Sequence, residues 1–217
     1  MLGSLLEIAL CTGDIRASCD FYEQLGFGTA VTGDIWTHHY GVMACGGLCL
    51  GLHEQRQPSP SVVFTRENVA ALARELDTLG IPVLNARLGS EEFHELSLRD
   101  PSGLVLRVLE ARSFSPPPAP PALTTLGRFE SLSLPIRDVA TAEAFWQRLG
   151  ISTPPVAYHA PRLHDEPLLQ FRHPDLAQAQ SVLSGLGIDC APGLGGFAPP
   201  DHLLLTSPEG QPIALLA

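Results

Sequence analysis

Four times in this chain an acid or amide is followed, twelve residues later, by the glycine of a Leu-Gly-Phe or Leu-Gly-Ile triplet. The copies run Asp14 to Leu25-Gly26-Phe27, Asn68 to Leu79-Gly80-Ile81, Asp138 to Leu149-Gly150-Ile151 and Asp175 to Leu186-Gly187-Ile188. Repetition at this spacing constrains architecture more than any single residue does, because each copy must fold into the same supersecondary unit. An apolar run suited to a strand precedes the acid: Leu5 to Leu10 in the first copy, Phe129 to Ile136 in the third. The acid stands where a helix N-cap accepts from free N–H groups. Helical spacing then aligns Ile15, Cys19, Tyr22 and Leu25, and likewise Val139, Glu143, Trp146 and Leu149 with Glu143 as the polar exception. The glycine closes each helix from the C′ position.

Copies two and four carry a second marker. Asp100-Pro101-Ser102-Gly103 and Ser207-Pro208-Glu209-Gly210 each place a glycine 23 residues beyond the Leu-Gly glycine. Proline followed two residues later by glycine is a tight turn between strands, and Leu104 to Leu109 and Gln211 to Leu216 read as the strands that follow. The complete unit is β-α-β-β-β. Copies two and four lie 107 residues apart, copies one and three 124, so the third copy is 17 residues short, enough for about two strands and a turn. A surplus between copies two and three coincides with Ser113 to Leu126, stiffened by Pro116, Pro117, Pro118, Pro120 and Pro121. The expectation is an α+β protein of four tandem βαβββ modules, the third truncated, paired into two halves with cupped mixed sheets. Residues 1–112 form the N-terminal half (modules 1–56 and 57–112), 113–126 the linker, and 127–217 a shortened C-terminal half.

Composition narrows the function classes. A net charge of −10 argues against nucleic acid and anionic membrane as partners. All 13 basic residues are Arg, which excludes a lysine Schiff base and a P-loop lysine. The five cysteines, Cys11, Cys19, Cys45, Cys49 and Cys190, show no C-x-x-C spacing and read as reduced thiols in a cytoplasmic protein. Neither a signal peptide nor a membrane span is expected from the apolar pattern.

Tandem modules of this design, and especially the stretches Asp14-Ile15-Arg16-Ala17-Ser18-Cys19-Asp20-Phe21-Tyr22-Glu23-Gln24-Leu25-Gly26-Phe27 and Asp100-Pro101-Ser102-Gly103, resemble the vicinal oxygen chelate superfamily. That group holds glyoxalase I, bleomycin-resistance proteins and extradiol dioxygenases. The resemblance implies that two modules pair into a cup that in metal-dependent members surrounds one divalent ion. It implies a first-strand ligand, usually His, seven residues before the acid, where this chain has Glu7, Ser61, Ser131 and Leu168. It implies a last-strand ligand, usually Glu, four residues after the turn glycine, where this chain has Arg107 and Ala214; register counting gives Gly51 in the first copy. The third copy is expected to lack that strand. A divalent ion needs several His or carboxylate ligands, so no metal and no other cofactor is expected at these positions, and an iron dioxygenase built on the second half is excluded.

Glu7 and Arg107 should then share one cavity and pair, directly or through water, because each would be costly to bury alone. The pair reads either as structural or as a fork presented to an anionic or carbonyl ligand. Strand alternation against Gly51 turns Trp36, His38, Tyr40 and His53 inward, provided the turn at Ala44 to Gly47 is even; an odd turn would bring in His39. The same counting against Arg107 turns Glu92, His94 and Leu96 inward. His159 and His164 read as loop residues. The expected ligand-binding set is Glu7, Trp36, His38, Tyr40, Gly51, His53, Ser61, His94 and Arg107, with no catalytic residue. The functional expectation is a metal-independent small-molecule binder of the bleomycin-resistance type, monomer or homodimer. Its alternatives are a glyoxalase-type lyase or isomerase with a displaced metal on His38, His53, His94 and Glu7, and a protein-interaction module.

Overall fold

The computed structural model describes residues 1–30, 38–111, 123–161, 164–192 and 202–217. The expected modules are present. The first comprises β1 (Ser4–Cys11), α1 (Ile15–Gln24), β2 (Gly28–Ala30), β3 (Tyr40–Cys45) and β4 (Leu48–His53). The second comprises β5 (Ser61–Arg66), α2 (Val69–Thr78), β6 (Val83–Arg87), β7 (Glu95–Arg99) and β8 (Val105–Glu110). The third is β9 (Arg128–Pro135), α3 (Val139–Arg148) and β10 (Val156–His159). The fourth is β11 (Leu168–Arg172), α4 (Leu176–Gly185), β12 (Ala191–Pro192), β13 (His202–Thr206) and β14 (Pro212–Leu216).

The repeated markers act as their chemistry requires. Asp14, Asn68, Asp138 and Asp175 each accept from the backbone N–H three residues on, a cap worth about 1 kcal/mol apiece. Gly26, Gly80, Gly150 and Gly187 follow with φ between +61° and +89°, a conformation that a Cβ would strain.

Two mixed sheets result. The first runs β2-β3-β4-β1-β5-β8-β7-β6, so the two modules meet at the antiparallel β1–β5 seam, each contributing a parallel pair, β1–β4 and β5–β8. The second runs β10-β9-β11-β14-β13-β12. Here the sequence reading needs correction. β10 pairs parallel to β9 as β4 does to β1, so the third module keeps its last strand and lacks the two middle ones. His159 belongs to that strand rather than to a loop.

One face of each sheet packs on helices. Leu10, Leu50, Leu52, Leu96, Leu98, Leu106 and Val108 join Tyr22, Leu25, Leu72 and Leu76 in the core. The same core continues into the C-terminal half. Phe27 meets Phe171 edge-on with centroids 6.0 Å apart, and Glu209 accepts from Ser18 and Tyr22 on α1. On α3 the buried positions are Ala142, Phe145 and Trp146, and Val139 is exposed, so the buried stripe lies one position round from the expected one. Most of the expected linker lies outside the described residues. Its end is anchored: Thr125 N–H donates to Leu25 O at 2.8 Å.

Candidate functional site in the N-terminal cup

The face of the first sheet turned away from the helices carries the polar residues. Cross-strand register places Glu7 opposite Val63, Ala9 opposite both Ser61 and Gly51, and Val63 opposite Arg107. Across β3 and β4, Tyr40 pairs with His53 and Val42 with Gly51. Cys45 pairs with Leu48 around Gly46 and Gly47, so this turn is even and the inward parity expected for Tyr40 and His53 holds. His38 precedes β3 and reaches the same side. Trp36 lies outside the described residues.

Glu7 is the anchor. It is 1% exposed, at the centre of the sheet. Its Oε1 lies 2.9 Å from His53 Nε2 and its Oε2 accepts from the Tyr40 hydroxyl at 2.5 Å. His53, fully buried, uses its other nitrogen: Nδ1 lies 2.9 Å from His38 Nε2. A carboxylate only accepts, so His53 donates from Nε2; a neutral His53 then accepts at Nδ1 from His38 Nε2–H. The result is a continuous chain, His38–His53–Glu7–Tyr40, leading from the half-buried edge of the cup to its floor. Burial is the first cause holding the His38 imidazole below its ordinary pKa, followed by the neighbouring His53 and the Arg107 cation. His38 therefore stays neutral at pH 7 and can exchange a proton with the chain behind it.

Gly51 makes this anchor possible. A Cβ there would stand 2.3 Å from Glu7 Cδ and Oε2 and 2.6 Å from Oε1. The missing side chain makes room for the carboxylate itself.

Arg107 has other partners. Its Nη1 donates to Gln57 Oε1 at 2.6 Å and its Nη2 to Glu95 Oε2 at 3.3 Å, with Arg87 3.8 Å from the other Glu95 oxygen. The expected direct Glu7–Arg107 pair is not formed; each charge is satisfied within its own module. The expected inward set on β7 is also corrected. Ser97 faces Arg107 and Glu95 faces Leu109, because five residues, Asp100 to Leu104, separate the pair Arg99–Val105, and an odd connection reverses the parity that an even one would give. Leu96 consequently lies in the helix-side core. His94 turns away from the cup, with Nδ1 3.0 Å from Glu110 Oε2 and Nε2 3.1 Å from Gly89 O; the Glu110 contact, ahead of that carbonyl, raises its pKa.

Beside Arg107 opens a cavity of about 290 Å³ lined by Gln55, Arg56, Gln57, Pro58, Asn85, Glu95, Leu96, Ser97, Val105 and Arg107. Sequence reasoning passed over Gln57 and Glu95. A polar run after His53, from Glu54 to Gln57 at the mouth of the cup, was the available signal.

The donor set can be tested against a divalent ion. At the four positions that hold ligands in metal-dependent relatives stand Glu7, Gly51, Ser61 and Arg107. One is a carboxylate with both oxygens already bonded, one has no side chain, one is a neutral hydroxyl and one is a cation. His94 is too far round the sheet to join, and both nitrogens of His53 are engaged. Among the described residues no group of three or more His, Cys, Asp or Glu is arranged to hold a metal. These residues do not fit a divalent ion of the usual kind.

The second sheet shows the matching positions filled blandly. Ser131, Ala157, Leu168 and Ala214 occupy them, and Ser131 donates to Gln170 at 3.1 Å.

Comparison with known proteins agrees with the architecture. Residues 4–108 match the family model described as Glyoxalase/Bleomycin resistance protein/Dioxygenase superfamily. A search of curated protein sequences gives no match. Among solved structures, a catechol 2,3-dioxygenase is 16% identical, covering 98% of this chain and 87% of its own, with a TM-score of 0.60. The Mn(II)-bound glyoxalase from Novosphingobium aromaticivorans is 13% identical, covering 98% and 81%, also at 0.60. An extradiol ring-cleaving dioxygenase from B. fuscum is 15% identical, covering 99% and 71%, at 0.62. At these identities the structural likeness speaks for the fold. Residues 4–108 belong to the Glyoxalase/Bleomycin resistance protein/Dioxygenase superfamily, the vicinal oxygen chelate group, and the βαβββ modules give the whole chain its fold.

Proposed function

We propose that this protein binds a small molecule in its N-terminal cup without a metal ion, as a sequestration or resistance protein of the bleomycin-resistance type. The observation that carries this reading is the content of the four ligand positions. Glu7 is bonded to His53 and Tyr40, Gly51 is required by Glu7, Ser61 is neutral, and Arg107 places a cation where a metal would meet repulsion. Tyr40 and His38 supply ring surface and hydrogen-bonding groups, and one chain contains a complete two-module cup, so a monomer suffices, with a homodimer as the other arrangement. Elemental analysis of untagged protein purified without chelator, normalised to protein, tests it. Metal far below one equivalent, even after incubation with Zn, Ni, Mn and Fe, is expected; a full equivalent of one of them would overturn the reading. Native mass spectrometry then identifies any small molecule carried through purification.

A second reading is favoured by the His38–His53–Glu7 chain. A neutral imidazole backed by a buried imidazole and carboxylate can accept and return a proton, which suits a lyase or isomerase of glyoxalase type. That reading predicts turnover that is lost in His38→Ala and His53→Ala, and a stoichiometric metal.

A further inference from the structure

Resting on that binding reading, we infer that the ligand is a small carboxylate, held beside Arg107 by Gln57. The inference begins with two buried atoms. Gln57 Nε2 and Ser61 Oγ are buried with no hydrogen-bond partner. The orientation of Gln57 is fixed by chemistry: a guanidinium only donates, so the amide oxygen must face Arg107 Nη1 at 2.6 Å. The amide nitrogen is thereby left with two N–H groups and nothing to receive them. Buried donors in native proteins are satisfied with few exceptions, and an exception asks for an explanation. Gln57 and Arg107 both line one cavity. An acceptor entering it, with a small shift of the Gln57 side chain, would complete the amide.

Ser61 lies on the same face of the sheet, opposite Ala9 on one side and Val105 on the other. It is fully buried, two residues along β5 from Val63, which stands opposite Arg107.

Charge selects the class of acceptor. The chain as a whole carries −10, yet among the described residues the cavity wall carries Arg56 and Arg107 and one carboxylate, Glu95, which is shared with Arg87. Glu7, on the neighbouring module, is occupied by His53 and Tyr40. A local surplus of positive charge in a half-enclosed, partly apolar site favours an anionic ligand. A planar carboxylate can place one oxygen on Gln57 Nε2 while the Arg107 charge faces the anion. Pro58 and Val105 offer apolar wall for the ligand's body, and about 290 Å³ suits a molecule of roughly one ring.

The test uses the full-length protein titrated with sodium benzoate and, in parallel, with neutral benzamide, followed by side-chain amide and guanidinium NMR signals. Benzoate should bind at least about tenfold more tightly than benzamide, a difference carried by one charge-assisted contact. The Gln57 NH₂ and Arg107 Nε–H signals should move. The decisive variant is Gln57→Glu. It keeps an acceptor for Arg107, so the melting temperature should hold or rise, but it replaces the N–H donor with a negative charge and should abolish benzoate binding. Benzoate bound by Gln57→Glu as tightly as by the parent protein, equal binding of benzamide, or no shifts up to roughly 50 mM benzoate would overturn the inference. Equal benzamide binding would leave the metal-free pocket reading intact. Stoichiometric metal in the cup would overturn that reading instead.

Discussion

The dependence of Glu7 on Gly51 can be put to a quantitative test by Gly51→Ala. The backbone there does not lie in the left-handed region, so alanine brings no strain of its own. In an ordinary strand the exchange would stabilise by about 0.5–1 kcal/mol through the unfolded chain. Here the new Cβ falls 2.3 Å from the Glu7 carboxylate carbon, well inside van der Waals contact, and the carboxylate is walled in by the neighbouring strands. It must leave His53 Nε2 and the Tyr40 hydroxyl. Two hydrogen bonds to a charged group are lost, at about 1.5–3 kcal/mol each, with some relief from whatever new position the side chain finds. A net destabilisation of about 3–5 kcal/mol is expected, in the range seen when a buried ionic contact is broken from one side. For a chain of this length that corresponds to a fall in melting temperature on the order of 10 °C.

The assay is a double-mutant cycle with Glu7→Ala, read by urea unfolding and by thermal melts. In the Glu7→Ala background the clash is gone, and Gly51→Ala should be neutral or slightly stabilising. The coupling energy should then be about as large as the single-mutant cost. A cost below about 1 kcal/mol for Gly51→Ala alone, or an equal cost in both backgrounds, would refute the view that this glycine exists to house the carboxylate.

Other consequences are open to direct measurement. By NMR titration His38 should protonate below the ordinary histidine pKa and His94 above it, and Glu110→Gln should bring His94 back down. In stability terms, the neutral His38 favours the fold fully above pH ~6.5 and that contribution is lost as pH falls through its lowered value; His94 acts in the opposite sense, its contribution lost as pH rises through its raised value. Glu209→Gln should loosen the contact between α1 and the C-terminal half, where Tyr22 OH and Ser18 Oγ both donate to the carboxylate; a loss of about 1–3 kcal/mol in chemical denaturation is expected. Gly127→Ala should destabilise more severely, since a Cβ there meets Arg172 O at 2.1 Å with φ at +91°. Gly3→Ala should behave alike for the same reason at Thr65 O, and both can be ranked by thermal melts.

Those two glycines show how much of the fold was legible in the sequence. They lie 124 residues apart, and the carbonyls they approach, Thr65 and Arg172, lie 107 apart. These are the spacings of the copies, so a repeat inferred from caps and Leu-Gly triplets governs unlabelled contacts too. Caps, C′ glycines and turn glycines are local devices, set by a few neighbouring residues, and sequence displays them directly. Parity across a connection is a different matter. It depends on how many residues the turn leaves unpaired. The two glycines between Cys45 and Leu48 made that count correct for Tyr40 and His53, whereas Asp100 to Leu104 holds five residues, and His94 and Leu96 were placed on the wrong face. The choice of partner for a buried charge was the least legible feature. Glu7 and Arg107 were rightly placed on one sheet face, but whether they met depended on Gln57 and Glu95, which competed for the guanidinium from a loop and a neighbouring strand.

The same fold is built twice in this chain, which makes the second half an internal control for the first. In the C-terminal sheet the positions equivalent to Glu7, Gly51, Ser61 and Arg107 are Ser131, Ala157, Leu168 and Ala214, and the polar groups beside them are paired: Ser131 with Gln170, and Ser133 with His159 at 2.9 Å. A sheet whose task is packing satisfies its polar atoms or omits them. In the N-terminal sheet charge is retained on both sides of the seam, a glycine is kept to make room for a carboxylate, and among the described residues the buried atoms without partners, Gln57 Nε2, Ser61 Oγ and Asp100 Oδ2, belong to that half. Unpaired buried donors cost about 1–3 kcal/mol each, and a fold that has an inert version of the same surface beside it has no structural need to bear that cost. The asymmetry supports the proposal that any ligand is bound in the first cup. The second half packs on the first module through Phe27, Phe171 and Glu209.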